Sequence, residues 1–122
     1  MKYLLLLNNA ASEWDAWRKL TPAEAQKYRE QEMPGWNALF EWMGEQGIEA
    51  SGLELEDPAD ARVVQVRDGR TVVTDGPFAE TKEVVGGYFL ADCTDLDQAI
   101  ELAQRVPLVG KGSVEIRPVV TD

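Results

Sequence analysis

At 122 residues the chain is long enough for one domain with a real core and too short for two. Twelve basic against 22 acidic residues give a formal net charge of −10, and residues 30–61 hold nine carboxylates without a Lys or Arg, which excludes a typical nucleic-acid binder. With no histidine and one cysteine, Ser-His-Asp and Cys-His catalysis, structural zinc and a disulfide scaffold are excluded too.

Met1-Lys2-Tyr3-Leu4-Leu5-Leu6-Leu7, followed by Ala10-Ala11-Ser12, has the outline of a secretory leader. Its apolar run is about five residues, short of the roughly 7–15 that a leader needs. Asn8 and Asn9 end the run, so residues 2–8 read as a buried first strand. No stretch approaches membrane-spanning length, so no membrane partner is expected. The lone cysteine and the lack of an export signal predict a cytoplasmic location.

Residues 9–20 are less regular, and Trp14 and Trp17, three apart, fit a loop or a short helical turn. Thr21-Pro22-Ala23-Glu24 is a helix start, with Thr21 as N-cap, Pro22 at the first helical position and Glu24 completing a capping box. The helical pattern runs to about Gln46 and closes at Gly47. Met33-Pro34-Gly35 predicts a kink or a break into two helices. Beyond it Trp36, Leu39, Phe40 and Met43 share one face, as a core-facing stripe or an aromatic wall for a ligand.

Residues 48–56 read as a strand and Asp57-Pro58-Ala59-Asp60 as a turn. Strands over 61–67 and 70–74 pair around Asp68-Gly69, a type I′ hairpin signal. Asp75-Gly76-Pro77-Phe78 is a second turn. Residues 84–93 form the longest apolar strand, with Gly86-Gly87 marking a bulge or a close backbone approach. Asp95 caps a helix of about ten residues that buries Leu96, Ile100 and Ala103 and ends before Pro107. A loop with Gly110 and Gly112 leads to a last strand over 113–120.

This order predicts a single α+β domain over 1–122, an antiparallel sheet with helices on one face. Strand one is apolar on both faces, with Tyr3, Leu5 and Leu7 on one and Leu4 and Leu6 on the other. The 84–93 strand is similar. Two main helices cover one face of such a sheet, so a second copy of the sheet is expected on the other, as a homodimer.

Chemistry-bearing groups concentrate in residues 74–83, where Asp75, Glu80, Lys82 and Glu83 lie close in sequence. Phe78 is an apolar anchor for the turn. Carboxylates beside a lysine shift one another's proton affinities, and an ordered loop with solvated charges is the competing reading. If the stretch is extended, Glu80 and Lys82 share a side and Glu83 points away. Arg117 lies on the strand face opposite Val114 and Ile116, where it is expected in an internal ion pair or on an anionic ligand. Tyr88 is either a hydrogen-bond donor in the same cleft or a packed tyrosine. Cys93 reads as inert packing, and Glu41 and Glu45 as a solvated face. No EF-hand spacing occurs, and neither metal nor cofactor is expected.

Asp75-Gly76-Pro77-Phe78-Ala79-Glu80-Thr81-Lys82-Glu83, with Gly86-Gly87-Tyr88 after it, resembles the signature of the YCII-related, or DGPF-domain, family. The resemblance extends to Met1-Lys2-Tyr3, Val66-Arg67-Asp68-Gly69, Leu96-Asp97-Gln98-Ala99 and Gly112-Ser113-Val114-Glu115-Ile116-Arg117-Pro118. It implies a ferredoxin-like unit assembling as a dimeric α/β barrel. It also implies gene-neighbourhood companionship with extracytoplasmic-function sigma factors. Better-studied dimeric barrels, muconolactone isomerase-like and chlorohydrolase-like, are small-molecule enzymes. Some relatives use a His–Asp pair, which this chain lacks, so acid–base work here falls to Asp, Glu, Lys or Tyr. Two readings stand. In the first, a small anionic or carbonyl-containing molecule binds beside the sheet, with Asp75, Lys82 and Glu83 as catalytic groups and Phe78, Glu80, Tyr88 and Arg117 as binding groups. In the second, the chain is a non-catalytic regulatory or interaction protein, its acidic surface meeting a sigma factor.

Overall fold

The computed structural model describes residues 1–76, 82–108 and 112–121. The first strand, β1 (Lys2–Ala10), runs directly into α1 (Ala11–Arg18), and α2 (Pro22–Gln46) follows. Then come β2 (Glu49–Glu54), a 3₁₀ turn (Pro58–Asp60), and the hairpin β3 (Arg62–Arg67) and β4 (Arg70–Asp75). The chain closes with β5 (Glu83–Asp92), α3 (Leu96–Gln104) and β6 (Gly112–Pro118).

Four strands make one antiparallel sheet in the order β2-β5-β1-β6. This is the order of a ferredoxin-like βαββαβ unit, with β3 and β4 inserted as a separate two-stranded sheet. Asp68 and Gly69 take φ of 50° and 74° at the hairpin tip, as a type I′ turn demands. The predicted helices-on-one-face α+β plan is therefore the observed one.

Pairing fixes which side chains meet. Tyr3, Leu5 and Leu7 of β1 are buried and stand beside Ile116 and Val114 of β6 and Ala91 and Phe89 of β5. Leu39 and Met43 of α2, Ala99 and Leu102 of α3, and Ile48, Cys93 and Val106 complete the core. Burial pushes the Cys93 thiol above its usual range, as inert packing requires. The alternate residues Leu4, Leu6, Tyr88 and Leu90 form the opposite face and are half-buried in the single chain.

The start of α2 follows the predicted capping box. The Thr21 hydroxyl accepts from the Glu24 backbone N–H at 3.2 Å, and the Glu24 carboxylate accepts from the Thr21 N–H at 3.0 Å. Gly47 closes the helix with φ 68°. Of the kink or break predicted at Met33-Pro34-Gly35, the break into two helices does not occur, and one helix runs through Pro34. Local cost is overruled by packing: Leu39 and Met43 anchor the second half, and Gly35 admits Pro107, whose Cβ lies 3.2 Å from where a Gly35 Cβ would sit.

Helix α3 is capped by Asp95, whose carboxylate accepts from the Gln98 N–H at 2.9 Å. Its buried face differs from the predicted one. Ala99 and Leu102 are fully buried, whereas Leu96 is 48% and Ile100 40% exposed. Ala103 is only partly buried against the core. The helix carries two overlapping apolar stripes, and its small residue, Ala99, is the one turned inward. Residues 9–20, read as loop or short turn, hold a two-turn helix. No helix among the described residues is long and apolar enough to cross a membrane.

Candidate functional site

Helix α1 lies across the end of the sheet and begins on a backbone bond from the Ala11 N–H to the Lys82 carbonyl at 2.8 Å. Its three-residue spacing puts Trp14 and Trp17 on one face. Two arginines then fasten the helices over the sheet. Arg18, at the end of α1, clamps Asp57 with Nε at 2.7 Å and Nη2 at 2.6 Å, and bonds Asp15 with Nη1 at 2.9 Å. Asp57 also accepts from the Ala59 N–H at 2.8 Å. The Arg18 bonds, and then that N–H, hold the Asp57 carboxyl down to about 2. Arg29 of α2 donates to both oxygens of Glu54 in β2 at 3.2 Å and lies 5.1 Å over the Trp17 ring.

Between α1, α2 and the β2–β5 side of the sheet is a cavity of about 700 Å³. One wall is aromatic. Trp36 lies 6.2 Å from Phe40 and 6.3 Å from Phe89, and Phe40 meets Phe89 edge-on at 6.5 Å. Trp17 meets Tyr28 edge-on at 6.3 Å. The floor includes Gly52, Gly86 and Gly87. Gly87 pairs with Leu7 and Gly52 with Phe89, so both occupy positions facing the helices. Gly86 is the extra residue of a bulge between the Leu7 and Asn8 pairings, and Trp14 packs over it.

The polar side chains at this cavity are mainly acidic, with Glu13, Glu32, Glu54, Glu56 and Asp57 beside Arg29 and Asn9. Glu32 is half-buried. Burial raises its carboxyl above the usual range, against the pull of Arg29 and a hydrogen bond from the Trp36 indole. The Trp14 indole Nε1 is buried with no hydrogen-bond partner among the described residues.

The residues singled out from sequence are dispersed. Asp75 ends β4, is exposed, and pairs with Arg62 at 3.3 Å. Lys82 is exposed, and Glu83 at the start of β5 accepts a hydrogen bond from Ser113. Arg117 pairs in register with Leu4 and is exposed on the sheet's open face, while Val114 and Ile116 face the core. Tyr88 borders the cavity, although its register with Leu6 directs the ring to the open face. It is the one of these five at the cavity. Phe78 and Glu80 lie outside the described residues. Sequence reasoning missed Trp14, Trp17, Tyr28, Arg29 and Glu32 as site residues. The available signal was Tyr28, Glu32, Trp36 and Phe40 recurring every fourth residue along α2, a stripe beside the core-facing Leu39 and Met43.

A family model described as YCII-related domain matches residues 1–121. An uncharacterized protein of Rhizobium meliloti (strain 1021) is 33% identical over 120 residues, covering 97% of this chain and 91% of that protein.

Proposed function

The chain belongs to the family of YCII-related domains, and on that premise we propose that it binds a small molecule in the cavity between α1, α2 and the sheet, and does so as a homodimer. The cavity carries the reading. Its volume of about 700 Å³ lies in the range of small-molecule sites, and mostly apolar walls with several aromatic rings and some polar groups are what such sites use. Glu32 supplies a carboxyl group at the cavity, its proton affinity raised by burial.

The open face of the sheet supports the dimer. Leu4, Leu6, Tyr88 and Leu90 are only half-covered, and Leu53 beside Tyr88 is 66% exposed. A second copy laid sheet against sheet covers this face, with Arg117 and Glu115, both on it, pairing across the two-fold axis.

Two measurements test these readings. In nitrogen-15 spectra, a fragment that occupies the cavity shifts the indole N–H signals of Trp14, Trp17 and Trp36. That of Trp42, which stacks on Arg105 outside the cavity, stays in place. A broad fragment library that moves none of the three at millimolar concentration would overturn the ligand site. A monomer mass by light scattering at micromolar concentration would overturn the dimer.

A further inference from the structure

We propose that the cavity selects a hydrophobic amine, whose apolar body lies against Trp36, Phe40 and Phe89 and whose ammonium group sits beside Glu32. This rests on the reading of the cavity as a ligand site and specifies what that site takes.

The charge around the cavity has one sign in excess. Among the described residues that line it, Glu13, Glu32, Glu54, Glu56 and Asp57 face a single cation, Arg29. Asp57 is neutralised by Arg18 and Glu54 by Arg29. Glu13, Glu32 and Glu56 form no ion pair among the described residues. The one cation among these lining residues already has its charge paired, since both of its terminal nitrogens donate to Glu54. An entering carboxylate would meet an excess of negative charge, whereas an ammonium group would relieve it.

The aromatic surfaces agree with the charge. Indole and phenyl faces attract cations through their ring quadrupoles, most strongly where water is excluded. Arg29 over Trp17 at 5.1 Å already uses one ring of this wall in that way. Trp36 provides another ring, four residues from Glu32 on the same helix face and close enough to lower its proton affinity. Burial of the Glu32 carboxyl adds to the argument, since a desolvated carboxylate gains most from a cation brought beside it.

Three probes share one body and differ in charge: phenethylamine, phenethyl alcohol and phenylacetate. Each is titrated at pH 7 and 0.15 M salt, and binding is read from the Trp36 indole N–H so that loose attraction to the acidic surface does not count. The amine is expected to bind about tenfold more tightly than the alcohol, and the acid more weakly than the alcohol. Glu32→Gln is expected to reduce the amine's advantage over the alcohol to about threefold or less. An alcohol or acid that binds as tightly as the amine overturns the proposal while keeping the ligand site. An advantage unaltered by Glu32→Gln overturns it as well. If none of the three moves the Trp36 signal, the ligand-site reading falls together with it.

Discussion

Replacing Gly52 with alanine puts one methyl group where the structure has no room for it. Gly52 sits in β2 opposite Phe89, on the floor of the cavity. A Cβ there would lie 2.2 Å from the Tyr88 carbonyl oxygen, 2.8 Å from Phe89 Cδ1 and 3.2 Å from Phe89 Cα. The first distance is 0.8 Å inside the 3.0 Å limit that real Cβ atoms respect. The obstacle is backbone of the neighbouring strand, so a side-chain rotation gives no relief. Strand β2 must move away from β5 and strain their shared ladder. Overpacking of this kind costs about 1–3 kcal/mol, and the added ladder strain places the expected loss at the upper end, about 2–3 kcal/mol. For a domain of this size that is a fall in melting temperature of roughly 8–12 °C. Gly44 is the internal control. It lies inside α2 with nothing within 4 Å of where a Cβ would sit, so Gly44→Ala should raise stability by about 0.5–1 kcal/mol, or roughly 2–4 °C. Calorimetric melts of the two variants beside the parent decide the matter. A Gly52→Ala protein melting within about 2 °C of the parent would refute the reasoning.

Three further outcomes follow from the same geometry. Trp14→Phe removes a buried N–H that has no partner among the described residues, whose desolvation costs about 1–3 kcal/mol. That saving offsets the lost ring area, so the variant should stay within about 1 kcal/mol of the parent in urea melts, and a loss above about 2 kcal/mol would contradict it. Leu102→Ala, at a fully buried position, should cost about 2–5 kcal/mol and the 40% exposed Ile100→Ala less than about 1 kcal/mol; equal losses would return the buried face of α3 to Ile100. Asp57 contributes stability through its lowered proton affinity. That contribution is complete above its ordinary value of 3.8 and fades as pH falls toward about 2. The parent's advantage over Asp57→Asn should therefore be a few degrees at pH 6 at most, because the pair is partly exposed. It should be mostly lost by pH 2, and a difference that does not change with pH would refute the assignment.

Local signals in this chain are readable where the physics is local. The Thr21 capping box, the Asp95 cap, the Asp68-Gly69 turn and the double-sided β1 each depend on residues within a few positions, and each appears as expected. The break expected at Pro34 is absent because a proline's cost inside a helix is a local rule. What opposes it is the seat of Leu39 and Met43 in the core and of Pro107 against Gly35. For α3 the sequence offers two apolar stripes, and the choice between them is made by the sheet beneath. The cavity is the least legible feature, since its fastenings join residues far apart: Arg18 to Asp57 across 39 positions and Arg29 to Glu54 across 25. The composition of the 74–83 segment draws attention to charges there, while the cavity lies under α1, whose two tryptophans carry no motif.

The β3–β4 hairpin has a consequence of a different kind. It forms its own sheet, its two ends are tied to each other where Gly76 N–H bonds the Ala61 carbonyl, and it leaves Val64, Val66 and Val73 more than half exposed. Two paired strands are marginal in water by themselves, so this arm can open while the main sheet remains closed. Its amide protons should then trade with deuterium ahead of those of β1, and a compound lodged beneath α1 should slow β5 without slowing the arm. The molecule thus carries its own reference clock, against which protection elsewhere can be read.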